Sequence, residues 1–217
     1  FAIGQYLLFR RDAYERLVAT LARYPNARPT LKLWVHTLLA DMAFRLGEPG
    51  RADAHYRAAL ETGLTDQYLL AAYGEFLLDT NRARQAAELL RPWERSDMLL
   101  LVLARAERAL GSPDAERHAS ALEARYADAA RRGDRTQVQD EALFRLEIRP
   151  DARRALVLAQ ENWSVQKEPR DARLLLEAAL AARSPAAART ALEWLAASGF
   201  EDARMARLAR ELAGLRP

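Results

Sequence analysis

A spacing of 34 residues recurs along this chain, and it constrains the fold more than any other sequence feature. The stretch from Phe44 to Gly63 is followed, 34 positions on, by LDTNRARQAAELL, which keeps its outline. Residues with the same structural role stand at matching positions around the two stretches. The matching pairs are Ala40 and Gly74, Gly47 and Asn81, Ala52 and Ala86, and Tyr56 and Leu90. We interpret them as close-packing small residues, helix-ending residues, a second pair of small residues and gap-filling large residues.

The residues between these positions indicate helices. Ala, Leu, Arg and Glu dominate, and no window shows the sustained alternation of a half-buried strand. Turn residues interrupt the sequence repeatedly, as in YPNARP at 24–29, GEPG at 47–50 and GSPD at 111–114. About a dozen short helices are therefore expected, and their short loops require consecutive helices to pack antiparallel. Pro92 lacks an N–H and should cut its helix short. The predicted fold class is all-α.

The order of a small residue, a turn glycine, a second small residue and an aromatic within a 34-residue helical hairpin resembles the tetratricopeptide repeat (TPR) family. The resemblance implies a single domain over residues 1–217, built as a right-handed superhelical solenoid of antiparallel hairpins. The units that match best are 33–66, 67–96 and 97–132. Weaker units are 11–32, 135–169 and 170–200, with IGQYLLFR before residue 11 as the remnant of a first helix. The charged helix at 201–215 is expected to cap the solenoid.

The resemblance also implies a function, since in this family the first helix of each unit lines a concave groove that binds a peptide or helix of another protein. The expected role is a non-enzymatic protein-binding adaptor, for example in assembling an envelope or secretion complex. The face opposite the small packing residues supplies the candidate groove residues. They are Trp34, Thr37, Asp41, Arg45, Tyr68, Ala71, Glu75, Asp79, Met98, Leu101, Arg105, Arg108, Gln137, Asp140 and Phe144.

The chemistry of these candidates indicates the kind of ligand. They do not match the Lys, Asn and Arg clamp with which some family members hold a C-terminal carboxylate. An acidic rim of Asp41, Glu75, Asp79 and Asp140 beside Trp34 and Tyr68 suits a segment that carries Arg or Lys together with apolar anchors. The alternative interpretation is that these charges form an ordinary solvated face.

Two other functions are compatible with the sequence. The chain begins at Phe1 rather than Met, which indicates either a removed signal peptide or an artificial boundary, and a fragment of a larger protein would fit a regulatory sensor domain that binds a peptide or small ligand. A nucleic-acid binder ranks last, because the arginines alternate with acidic residues and lack interleaved aromatic residues. Its candidate residues are Arg10, Arg11, Arg131, Arg132, Arg135, Arg153 and Arg154.

Several kinds of site are not indicated. The chain contains no cysteine, which excludes disulfides and thiolate chemistry. The three histidines lack the spacing of a zinc site, and neither GxSxG nor a glycine-rich phosphate loop is present, so no metal, cofactor or enzymatic activity is predicted. The longest apolar run is too short to span a membrane. The lack of cysteine favours a periplasmic or secreted location, although the cytoplasm stays compatible. The oligomeric state is left open.

Overall fold

Helices account for the regular structure of the chain in the computed structural model, which describes residues 11–215. Twelve α-helices and two 3₁₀ turns form in this range, and no strand is found within it. The prediction of an all-α protein with about a dozen short helices is confirmed. The residues of IGQYLLFR, 3–10, lie outside the described range, and so does the first helix expected there.

The chain divides into two compact units. The first comprises residues 11–92 and 200–203 of the described chain, and the second comprises 93–199 and 204–215. Five helices lie in the first unit: α1 (Arg11–Ala22), α2 (Pro29–Arg45), α3 (Pro49–Leu60), α4 (Gln67–Asp79) and α5 (Ala83–Leu90). Six lie in the second: α6 (Asp97–Leu110), α7 (Ala115–Arg131), α8 (Val138–Glu147), α9 (Ala152–Val165), α10 (Pro169–Ala181) and α11 (Arg189–Ser198). The last helix, α12 (Ala203–Gly214), begins in the first unit and continues in the second.

The helices begin where the sequence provides the right residues. Proline occupies the first turn of α2, α3 and α10, where a missing N–H costs nothing. Asp66 and Asp151 cap α4 and α9 by accepting the backbone N–H groups of Leu69 and Arg154. The short helix α5 ends at Leu90, and a 3₁₀ turn follows at Arg91–Trp93, so the expected effect of Pro92 is confirmed.

The same backbone turn closes α2 and α4, which are the first helices of the predicted repeats 33–66 and 67–96. Gly47 and Asn81 adopt the left-handed conformation, with φ of 79° and 60°. In each case the next N–H reaches back five residues, from Glu48 to the carbonyl of Ala43 and from Arg82 to that of Leu77. These are Schellman turns, which satisfy helix-end carbonyls that would otherwise lack partners. The left-handed conformation of both residues, 34 positions apart, confirms the helix-ending role predicted for this pair.

Packing within each unit follows the chain order. In the first unit each helix from α1 to α5 packs against the next, and α2 also packs against α4. In the second unit α6 packs on α7, and α8, α9 and α10 pack in sequence, while α8 contacts both α6 and α10. Within each compact unit, the first helices of successive helical hairpins are therefore neighbours. Such nearest-neighbour packing is the arrangement by which repeated hairpins bury their apolar faces.

Small and aromatic residues fill the first unit's core as the repeat predicts. Ala40, Ala52 and Ala86 are fully buried, and Gly74 is buried too. The ring of Tyr56 stacks on that of Tyr73, with centroids 5.0 Å apart. Small residues allow the helices to approach each other, and aromatic rings fill the space between them.

The helix α12 is shorter than the predicted cap at 201–215. Its buried side chains are Met205, Leu208 and Leu212, which lie on one face at helical spacing, while Arg207 and Arg210 are exposed. The segment before it carries Phe200, whose ring lies 5.0 Å from the Arg45 guanidinium within the first unit.

Candidate binding surface

Two aromatic side chains stand out on the surface of the first unit. Trp34 on α2 is 57% exposed and Tyr68 on α4 is 65% exposed, although both helices otherwise contribute heavily to the core. The two residues are 34 positions apart, and each precedes the left-handed residue of its helix end, Gly47 or Asn81, by 13 positions. They therefore occupy one repeated position. A large apolar side chain that is exposed at a repeated position is the kind of feature that binding surfaces share.

The two aromatic residues lie on adjacent helices that run in the same direction. Helices α2 and α4 pack against each other, and the rings of Phe44 and Phe76, near the two C-terminal ends, are 4.9 Å apart. Packed helices have axes about 8–10 Å apart. Trp34 and Tyr68 thus stand at equivalent positions, 13 residues before the turn that ends each helix, on two neighbouring helices.

Two other candidates on α2 are buried. Thr37 is 2% exposed, and its hydroxyl donates to the carbonyl of Leu33 at 2.8 Å. Arg45 is 5% exposed and forms an ion pair with Asp41 at 2.8 Å. The sequence placed both on a ligand-facing wall, but neither offers accessible surface. The reason is that α2 is apolar around most of its circumference, so its core-facing surface is wider than one stripe.

The acidic candidates of the first unit are partly exposed and already interact within the protein. Asp41 pairs with Arg45, and Glu75 and Asp79 on α4 also have partners in the fold. Ala71 lies in the core. The negative charge beside Trp34 and Tyr68 is thus partly compensated, which reduces its contribution to attracting a basic ligand.

The apolar candidates of the second unit differ in their exposure to solvent. Met98 is 48% exposed, and it too lies 13 positions before a left-handed glycine, Gly111. Leu101 and Phe144, in contrast, are core residues. Met98 therefore continues the repeated exposed position found in the first unit.

The polar candidates of the second unit serve mainly the fold. Arg105 is 8% exposed and donates two hydrogen bonds to the Glu147 carboxylate, at 2.5 and 2.9 Å. Asp140 faces Arg170 at 3.7 Å. Arg108 is exposed and Gln137 is partly exposed, next to the start of α8. Of this group, Arg108 is the one with a largely open side chain.

Sequence reasoning missed a cluster in which two histidines meet. The Nδ1 atoms of His36 on α2 and His55 on α3 are 3.1 Å apart, and the Tyr14 hydroxyl on α1 lies 3.0 Å from Nε2 of His55. Burial and the nearby Lys32 lower the pKa of His36, against an opposing effect of Glu61. Burial, His36 and Arg51 lower the pKa of His55 to about 4. The separation of 19 residues gives no periodic signal, because only the pairing of the two helices brings these side chains together.

A second buried cluster, in the second unit, was also not predicted from the sequence. Nδ1 of His118 lies 2.6 Å from a Glu107 oxygen, and its Nε2 lies 3.3 Å from Glu94. Both His118 and Glu107 are almost fully buried. Each of these polar groups therefore has a partner, as buried polar groups require.

The described part of the chain contains neither a candidate metal site nor a candidate membrane-spanning helix. Between residues 11 and 215, no three His, Asp or Glu side chains are grouped so that they could hold a metal ion. None of the helices in that range combines the length and apolar character needed to cross a membrane.

Comparisons with known proteins returned no relative. No protein-family model, curated protein or solved structure matches the chain. Its function is therefore inferred from its own residues.

Proposed function

We propose that this protein is a non-enzymatic scaffold that binds an extended segment of another protein. In this proposal the hairpins of each unit stack as in a right-handed superhelical solenoid of the TPR type, and the first helices form the binding wall. One observation carries the proposal: Trp34 and Tyr68 are both more than half exposed at one repeated position on two adjacent helices. Exposed aromatic residues commonly dominate the energy of protein interfaces.

The spacing of the aromatic residues defines the ligand further. Neighbouring helix axes about 10 Å apart correspond to about three residues of an extended chain in the polyproline II conformation, which rises ~3.1 Å per residue and returns to the same face every three residues. A bound segment would therefore place apolar side chains at positions i and i+3. Two turns along each helix from the aromatic residue stand Asp41 and Glu75. Although both carboxylates already interact within the protein, their negative charge favours Lys or Arg over an acidic residue in the segment. The ligand class is an extended segment with two apolar anchors and at least one basic residue.

A peptide-display selection tests this proposal. A random library would be selected against the whole chain, and the enriched sequences should share apolar residues three positions apart with Lys or Arg nearby. A Trp34→Ala, Tyr68→Ala double variant should bind the selected peptides at least ~10-fold more weakly, because hot-spot side chains cost more than about 1.4 kcal/mol when truncated.

A matched control separates this surface from general stickiness. Tyr24 is 63% exposed in the loop between α1 and α2, so Tyr24→Ala removes an equally open aromatic ring that lies on neither α2 nor α4. The control should bind the selected peptides like the wild type. Failure of the library to enrich any sequence, or equal binding by the double variant, would overturn the proposal.

A further inference from the structure

The contact between His36 and His55 is a direct hydrogen bond between two imidazole rings. The ring centroids are 5.3 Å apart and the Nδ1 atoms 3.1 Å apart, so the centroid separation exceeds the nitrogen separation by 2.2 Å, close to two ring radii. The two nitrogens therefore point almost directly at each other. In this geometry one Nδ1 carries a proton and donates it, while the other must be a bare acceptor.

Tyr14 completes a chain of hydrogen bonds across three helices. When Nδ1–H of His55 donates to His36, Nε2 of His55 is bare and accepts the Tyr14 O–H; when His36 donates instead, Nε2–H of His55 donates to the Tyr14 oxygen. Either arrangement requires His55 to be neutral. The cluster joins α1, α2 and α3 through one ring that contacts both neighbours.

Protonation of both rings breaks this arrangement. One added proton leaves the hydrogen bonds intact, because a His55 imidazolium can donate both to His36 and to the Tyr14 oxygen. A second added proton puts two N–H groups, and two positive charges, face to face across 3.1 Å. We propose that the Tyr14–His55–His36 cluster is an acid-sensitive latch, which holds α1, α2 and α3 together at neutral pH and releases them on acidification.

The groups around the cluster offset a positive charge on it only in part. The described charged and titratable groups that act on the three rings are Glu15 on α1, Lys32 on α2, Glu48 and Arg51 around the start of α3, and Glu61 at its end. Glu48 is engaged by Arg11 and Arg51, and Glu15 by Arg51. Of these acids, Glu61 is the one that favours protonation of His36.

The direction of the pH effect follows from the lowered pKa values. A histidine whose pKa is lower in the folded state than its unfolded value of about 6.5 takes up protons more readily when unfolded. The latch therefore contributes its full stability above that pH and loses it as the pH falls towards the folded pKa of His55, about 4. Release would begin in mildly acidic solution.

The first experiment is an NMR titration of the histidine ring protons in the whole protein. Both His36 and His55 should titrate below pH 6.5, and His55 should reach half-protonation near pH 4, at least one pH unit below an unperturbed histidine. Titration of both rings at about 6.5 would overturn the proposal. This measurement needs no variant.

The second experiment compares urea unfolding at pH 7 and pH 5. His36→Asn keeps a polar group near the Nδ1 position but cannot be protonated, so the drop in urea midpoint between the two pH values should be smaller than in the wild type. An equal drop in both proteins would contradict the latch. Neither experiment uses the proposed peptide, so the latch and the proposed function fail independently. Helix α2 carries both His36 and Trp34, so a pH effect on peptide binding would additionally rest on the proposed function.

Discussion

Replacing Asp171 with Asn should destabilise the second unit by much more than the chemical change implies. Asp171 lies in the first turn of α10 and is 1% exposed, and its carboxylate accepts hydrogen bonds from three donors. Gln139 on α8 donates at 2.5 Å, Asn162 on α9 at 2.6 Å, and the backbone N–H of Glu168 at 2.9 Å. One buried acid therefore ties together three consecutive helices.

The expected cost follows from how the three hydrogen bonds divide between the two oxygens. Oδ1 accepts from both side-chain amides, and Oδ2 accepts from Glu168. An asparagine retains one oxygen, so it either loses the Glu168 bond or places its NH₂ against the two amide donors. A hydrogen bond to a charged group contributes about 1.5–3 kcal/mol, and the two remaining bonds also lose their charge assistance. We expect a loss of about 2–4 kcal/mol in the free energy of unfolding.

Urea denaturation followed by far-UV circular dichroism measures this loss. With a slope of about 2 kcal/mol per molar urea, the midpoint should fall by about 1–2 M. Asp151→Asn is the matched control: Asp151 caps α9 by accepting only the Arg154 N–H at an exposed site. Asn caps helices as well as Asp, so that variant should change stability by less than about 0.5 kcal/mol. Equal midpoints for the two variants would refute the reasoning.

Three further changes have defined outcomes. Gly74→Leu inserts a large side chain at a buried helix crossing and should cost more than about 2 kcal/mol, so an unchanged melting temperature would contradict the packing role of Gly74. Arg183→Gly should raise the melting temperature by relieving a left-handed residue with φ of 51°, whereas Arg207→Gly, inside α12, should lower it. Burial opposes ionisation of Asp53, but hydrogen bonds from Arg82 and Tyr73 outweigh it and lower its pKa. Asp53→Asn should therefore destabilise the protein at pH 7, and its difference from the wild type in urea midpoint should shrink as the pH falls below about 4.

The sequence predicted the helix ends better than the faces of the helices. Gly47 and Asn81 were assigned correctly because the left-handed conformation selects for glycine and asparagine, which is a local property of the residue. Thr37 and Arg105 were assigned to an exposed wall but are buried, because exposure depends on which neighbours cover each face. Periodicity identifies a helix and one apolar stripe; it does not count how many helices pack around it.

The histidine cluster shows a second limit of sequence reasoning. The spacing of His36, His55 and His118 matches no zinc motif, and it also gave no sign that the side chains of His36 and His55 are in contact. Their contact depends on the relative rotation of α2 and α3 within one hairpin. Small side chains on both helices, such as Ala40 and Ala52, are completely buried and allow the two helices to approach each other closely.

The repeated exposed position is best located by counting back from the end of each first helix. Helices α2, α4 and α6 contain 17, 13 and 14 residues, so their starting points do not align. Counting back 13 residues from the left-handed residue nevertheless reaches Trp34, Tyr68 and Met98, all exposed apolar side chains. The turn at the end of each first helix fixes how the chain enters the following helix. Extra residues at the start of the first helix leave its packed face unchanged. In α10, which ends before left-handed Arg183, the same count reaches Arg170, an exposed cation. The apolar character of this repeated position is therefore interrupted at Arg170.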